Sequence, residues 1–207
     1  MTRTANPGKL QRRLNKEDIL EKTAPLFAEG GYAATSMRDL AKACGITPAA
    51  LYHHFEDKDQ LYLEALEYIF RRRIGRMSDA LKGLTTFEGK VRRVVEVLVD
   101  AIHGDELFLT LLRRELLVRD EKRLEYLATR VFAEPFREIM RVGRDLPPGN
   151  YRPSFLATSA LALTIGHYTL EPVRRYLMPS DTPQDLRQTI IDHVTDLALH
   201  GMRKDPR

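Results

Sequence analysis

The chain has 207 residues, 43% of them hydrophobic and 30% charged, and a formal net charge of +4. That is enough apolar material for a core without covalent staples, while the lack of an eighteen-residue apolar run excludes a helical membrane span. A lone cysteine, Cys44, excludes an internal disulfide; with a basic start that no apolar stretch follows, it predicts a cytoplasmic chain without a secretory leader.

Charge is unevenly spread. Residues 1–16 carry five basic residues and no acid, whereas residues 17–60 carry four basic residues against eight acidic ones, a net of −4. Charge alone therefore does not mark the N-terminal region as a nucleic-acid reader, and the local pattern has to. Strand-type alternation is almost absent, and helical spacing dominates. Three short helices are expected over about 16–29, 36–43 and 47–53, followed by a long one from Lys58 to about Leu81. Further on, Val91, Val94, Val95, Leu98 and Ile102 share one helical face, as do Leu124, Leu127, Val131, Pro135 and Ile139. Breaks fall at Gly30-Gly31, Gly45, Gly83, 103–105, 145–150 and 178–181. About nine helices result. The last two are expected over about 153–177 and 183–203.

The N-terminal punctuation is specific. Ser36 can cap a helix, with Asp39 three residues on returning the bond. Gly45 stops that helix. Thr47 caps the next, with Pro48 in its first position, where a missing N–H costs nothing. Two short helices joined by Cys44-Gly45-Ile46-Thr47 make a helix-turn-helix. Leu51 and Phe55 are its core anchors. Small Ala49 and Ala50 permit close approach to a groove, and Tyr52, His53 and His54 supply polar groups.

The order Leu26-Phe27-x-x-x-Gly31-Tyr32, Thr35-Ser36-Met37, Leu40-Ala41, Gly45-Ile46 and Leu51-Tyr52-His53-His54-Phe55-x-x-Lys58 resembles the TetR/AcrR family of transcriptional regulators. The resemblance covers about forty-five residues. It implies an all-α fold, with a three-helix DNA-binding domain over 1–60 joined by a long helix to a ligand-sensing and dimerisation domain over 61–207. It also implies roles. Ser36 and Arg38 lie near the DNA backbone, and Thr47, Pro48 and Ala49 enter the major groove. Tyr52, His53 and His54 reach phosphates or bases, and Lys58 meets a phosphate. Where many members have glycine or a longer polar residue, this chain has Ala49-Ala50, which thins direct base readout.

The resemblance further implies a homodimer on palindromic operator DNA, acting as a repressor and released by a small-molecule effector. Leu156, Ala160, Leu163, Ile190, Val194 and Leu197 are the expected dimer contacts. Phe108, Leu112, Tyr126, Phe132, Phe136, His167 and Tyr168 are the expected walls of an apolar effector cavity. Pro135 and Pro172, inside helical patterns, are expected to bend or break their helices and leave room for it. Arg71, Arg72, Arg73 and Arg76 read as a solvated or ion-pairing face about four turns along the long helix, roughly 20 Å from its start. Adjacent His53 and His54 point apart and make poor co-ligands, so no metal is expected. No glycine-rich phosphate loop, nucleophile elbow or zinc motif speaks for an enzyme or a cofactor. The rival reading is an architectural DNA-binding protein without small-molecule sensing.

Overall fold

A computed structural model of the chain describes residues 14–145, 152–180 and 183–200. Everything regular in them is helical. The first helix, α1 (Lys16–Ala34), starts from Asn15, whose side chain accepts from Asp18 N while Asp18 returns a bond to Asn15 N. Its expected end at Gly30-Gly31 is a kink: Gly31 sits at φ +76°, and one further turn follows. Next come α2 (Met37–Cys44), α3 (Pro48–Tyr52) and α4 (Lys58–Ile74). The long connector is not continuous to Leu81 as expected. It stops at Gly75, and a separate short helix, α5 (Met77–Leu81), follows. The reason is local: a Cβ at Gly75 would lie 2.5 Å from the Arg71 carbonyl.

The remaining helices are α6 (Phe87–Ile102), α7 (Glu106–Val118), α8 (Glu121–Leu127), a π-helical turn (Ala128–Phe132), α9 (Ala133–Gly143), α10 (Pro153–Leu177) and α11 (Leu186–His200). The two prolines behave differently. Pro135 sits in the first turn of α9, directly after the π turn, so the apolar stripe around it is interrupted as expected. Pro172 does not break α10, contrary to expectation. A proline cannot donate to the carbonyl four residues back, here that of Tyr168. Arg113 Nη2 donates to Tyr168 O at 3.0 Å instead, which removes the cost that would otherwise open the helix.

The largest core runs from Ile19, Phe27 and Leu40 through Leu51 and Phe55 to Leu66 and Phe70 of α4, and on to Phe108 and Leu111 of α7. The N-terminal helices therefore share one interior with α7 and α8. A second core gathers Met77, Val91, Leu98 and Ile139, and a third sets Val95 and Val99 against Ile190, Ile191 and Val194.

One polar group lies inside the first core. Glu115 of α7 is 1% exposed. Its Oε1 accepts from Tyr62 Oη at 2.5 Å and from Arg123 Nη1 at 3.4 Å. The Arg123 guanidinium also stacks on the rings of Tyr32 and Tyr62, 4.8 and 5.4 Å from their centroids. Burial, and then the bond to Glu115, push the Tyr62 phenol well above its usual range, so it stays a donor. Replacing Tyr62 with phenylalanine keeps the ring and withdraws a buried carboxylate's donor. Tyr62→Phe is expected to lower stability by about 1–3 kcal/mol in urea unfolding; an unchanged midpoint would show that the hydroxyl contributes nothing.

Candidate nucleic-acid interface

The α2–α3 pair is built by capping. Ser36 Oγ accepts from Asp39 N at 3.2 Å and Asp39 Oδ2 accepts from Ser36 N at 3.2 Å, so both partners of the box are present. The Ser36 hydroxyl, which also donates to Asp39 Oδ2 at 2.5 Å, and then the Ser36 N–H hold the Asp39 carboxyl below the ordinary carboxylate range. Leu40, Ala41 and Cys44 bury the inner face of α2. Gly45, at φ +70° and ψ +27°, closes the helix, and its N–H donates to Ala41 O and Lys42 O. A non-glycine residue would be strained there. Thr47 Oγ1 then accepts from Ala50 N at 3.1 Å and Pro48 opens α3. Only five residues long, α3 is fixed by its anchors, Leu51 and Phe55, which are 0% and 1% exposed.

What this leaves outside matches the composition of a DNA-facing tip. Ser36, Arg38, Thr47, Pro48, Ala49, Tyr52, His53 and His54 are all exposed. Tyr52, with 52% of its surface in solvent, has no packing role that needs its ring. Arg38 and Lys42 are exposed cations on α2 with no ion pair among the described residues. Lys42 was not singled out from the sequence, and its place next to the turn is the signal that would have found it.

Lys58 is different. Its Nζ donates to Tyr32 O at 3.0 Å and to Thr35 O at 3.1 Å, and lies 4.1 Å from the Tyr32 ring centroid. The ammonium is half-buried and spent on the junction between α1 and α2. Burial and the nearby Asp59 carboxylate raise the Tyr32 phenol to about 12. A second clamp comes from the other half of the molecule: Arg114 of α7 donates from Nε to Ala28 O and from Nη2 to Glu29 O, both at 2.7 Å. A Cβ on Gly31 would meet Arg114 Nη1 at 2.9 Å. Sequence reading missed Arg114, because its partners are backbone carbonyls some eighty-five positions away.

This geometry coincides with a known sequence class. Residues 19–65 match the family described as bacterial regulatory proteins, tetR family. Over these residues the chain is similar to the tetR family. The HTH-type transcriptional repressor KstR2 of Rhodococcus jostii is 36% identical over 101 residues, 47% of this chain and 48% of that protein. The HTH-type transcriptional activator FasR of Mycolicibacterium smegmatis is 22% identical over 201 residues, covering 96% of this chain and 88% of that one. Among solved structures, AibR in complex with isovaleryl coenzyme A and operator DNA superposes with a TM-score of 0.65. It is 20% identical, over 88% of this chain and 97% of that one, and shares the fold. The chain spans less than half the length of the first curated relatives it matches.

In the C-terminal half of the chain, the residues expected to wall an effector cavity are spread through packed regions. Phe108 and Phe132 lie against Phe70, with centroids 4.8 and 5.8 Å apart, and Leu112 is buried in the same core. Tyr126 donates to Glu67 at 2.5 Å. Phe136 packs on the second core. Tyr168 Oη meets His103 Nδ1 at 3.1 Å. His167 stands edge-on to His193 at 5.3 Å, and burial lowers its pKa. None of the seven lines the apolar cavity that the fold contains, which measures about 230 Å³ and lies between α6, α9, α10 and α11.

Five of the six residues expected at the dimer contact line that cavity, Leu156, Ala160, Leu163, Val194 and Leu197, and of these Leu163 and Leu197 are also exposed. The sixth, Ile190, is 3% exposed and packs with Val194 against Val95 and Val99 of the same chain. Ile190 and Val194 thus face this chain's own α6, while Leu197 on the same helix remains exposed. Apolar side chains that reach solvent include Phe155, Leu170, Val173, Tyr176 and Leu177 on α10, Leu116, Leu117 and Val118 at the end of α7, and Leu197 on α11. No helix among the described residues is long and apolar enough to cross a membrane.

These placements separate two residues that the sequence groups together. Tyr52→Ala is expected to leave thermal stability within about 0.5 kcal/mol while greatly weakening DNA binding. Lys58→Ala is expected to cost about 1–3 kcal/mol, through two lost charge-assisted bonds. Its effect on the salt dependence of binding should be small. Differential scanning fluorimetry and fluorescence anisotropy across a salt series measure both. A fall of about one unit in the salt slope for Lys58→Ala would instead place its ammonium on a phosphate.

Proposed function

We propose that this chain is a ligand-responsive transcriptional regulator, a repressor that binds palindromic operator DNA as a homodimer. Residues up to about 60 form the DNA-binding unit, and the remainder senses ligand and dimerises. The observation that carries the reading is the α2–α3 pair: capped, anchored from below, and presenting Thr47, Pro48, Ala49 and Tyr52 to solvent. Two such tips related by a two-fold axis enter successive major grooves when they stand about 34 Å apart. Ser36, Arg38, His53 and His54 then sit where backbone phosphates pass, while Lys58 and Arg114 hold the unit in place.

The exposed apolar residues of α10, with Leu163 and Leu197 beside them, support a two-fold contact made by the last two helices. Repression agrees with the similarity to KstR2 in the N-terminal half. The effector follows from the cavity. Ser159 is its one polar side chain among aliphatic groups such as Val91, Val94, Leu156 and Leu163. With Leu163 and Leu197 partly in solvent, the cavity is a half-open apolar pocket of about 230 Å³, room for a small ligand. Small apolar compounds with an acyl-like chain fit this wall better than polar metabolites, and AibR is a relative in fold that carries an acyl thioester. Occupancy between α6, α9, α10 and α11 acts through differential affinity for two subunit spacings.

Selection of bound sequences from a random duplex pool tests the DNA reading. A palindrome with half-sites one helical turn apart is expected; binding without sequence preference would support the architectural alternative. Sedimentation should give a dimer at micromolar concentration, converted to monomer by Leu170→Glu with Leu197→Glu. A monomeric wild type would remove the two-fold mechanism. For the effector, short fatty acids, their methyl esters and toluene are expected to raise the melting temperature. Ala160→Phe, which fills the cavity, should abolish that rise and keep operator affinity. Equal stabilisation of this variant would place the ligand elsewhere.

A further inference from the structure

A different cleft, of about 690 Å³, opens between the C-terminal end of α4 and the π turn with the start of α9. Four guanidinium side chains line it, those of Arg71, Arg72, Arg76 and Arg130, against one carboxylate, Glu134. Four positive charges and one negative leave a local charge of +3. Like charges gathered around one concavity repel each other and focus a field that attracts anions.

The protein answers only part of that charge. Arg71 pairs with Glu67 at 3.2 Å, and Arg72 reaches Glu21 at 3.5 Å and the Tyr68 hydroxyl at 2.8 Å. Arg76 and Arg130 have no ion pair or side-chain hydrogen bond among the described residues. Asp79, one turn from Arg76, is engaged by Lys82 at 2.5 Å. Arg73, the other member of the run, is taken by Asp105 at 2.6 Å. Of the arginines on this face, Arg71, Arg72 and Arg73 are ion-paired, and the cleft keeps two without an acid, Arg76 and Arg130.

The cleft is also held in shape. Arg71 donates from both Nε and Nη2 to Arg130 O, at 3.2 and 2.9 Å. That carbonyl lies in the π turn, shortly before Pro135, which has no N–H to return to it. The turn and α4 are thus stitched together where two of the arginines arise. Finally, Glu134 Oε2 is buried and accepts no hydrogen bond from any described residue, although a buried carboxylate oxygen normally has a donor.

We propose that this cleft binds a phosphorylated small molecule of the nucleoside diphosphate class, with phosphate oxygens on Arg76 and Arg130 and a hydroxyl or amino donor on Glu134. Guanidinium forks suit phosphate oxygens, and two phosphoryl groups give each of the two unpaired guanidiniums, Arg76 and Arg130, an anion of its own. A ligand there bridges α4 to α9 and is separate from the apolar cavity. The inference does not require operator binding, because it is measured on free protein.

Isothermal titration of the full-length, DNA-free protein at low ionic strength tests it, with inorganic pyrophosphate, ADP and adenosine as probes. Pyrophosphate and ADP are expected to bind, ADP more tightly, and adenosine not. Arg76→Ala with Arg130→Ala, both surface positions whose fold is checked by circular dichroism, should weaken both anions about 100-fold, roughly tenfold for each charge-assisted contact. Glu134→Met should weaken ADP about tenfold and spare pyrophosphate. The proposal is overturned if neither anion binds, if the double variant binds both as wild type does, or if Glu134→Met affects both equally. It is also overturned if the double variant loses affinity and salt dependence toward DNA in the absence of added anion, because the arginines then serve a duplex backbone.

Discussion

The seating of Glu115 in an apolar interior constrains most of the chain around it: two donors answer its Oε1, while its buried Oε2 has none among the described residues. Leaving such a group without partners costs far more than a neutral hydrogen bond contributes. Its partners come from elsewhere: Tyr62 from α4 and Arg123 from α8. Arg123 in turn covers Tyr32 of α1, whose other contact is Lys58. Four helices thus meet at one polar point inside the largest core. Neighbouring Arg114 fixes the end of α1 by its carbonyls. The N-terminal helices are consequently not a bead on a tether. A shift of α7 or α8 moves the carbonyls and rings on which α1, α2 and α4 rest.

The recognition tip shows why a five-residue helix can present side chains in a fixed direction. Nucleation of so short a helix is unfavourable in isolation. Here the cap at Thr47, the proline after it and the two buried anchors, Leu51 and Phe55, fix the dihedral angles without help from length. Two of the acids in residues 17–60, Asp39 and Asp57, are occupied in helix caps, while Arg38 and Lys42 are exposed without an ion pair among the described residues. Net charge over a window says little when part of one sign is taken up in capping.

The C-terminal half is organised by where helices are allowed to break. Gly75 ends α4, the π turn precedes Pro135, and α10 passes through Pro172 intact because Arg113 occupies the carbonyl left bare. These choices shape two distinct openings. One is aliphatic, kept free by small residues such as Gly143, Ala160 and Ala198; the other is ringed by arginines.

The sequence by itself determined the helical class, the caps at Ser36 and Thr47, the stop at Gly45 and the anchors Leu51 and Phe55. Each depends on residues within four positions of one another, so spacing alone encodes it. The exposed tip from Thr47 to His54 was legible for the same reason. Only the tertiary structure decided which apolar stripes are spent inside the subunit. Ile190 and Val194 look like a free face on their own helix and are filled by Val95 and Val99, nearly a hundred residues earlier. The aromatics Phe108, Phe132 and Phe136 looked like cavity walls and are core, because periodicity reports that a side chain is buried and not whether its neighbour leaves a gap. Lys58 and Arg114 carry charges that composition assigns to solvent or phosphate. They bind backbone carbonyls, and which carbonyl lies within reach of a long side chain is settled only when distant helices pack.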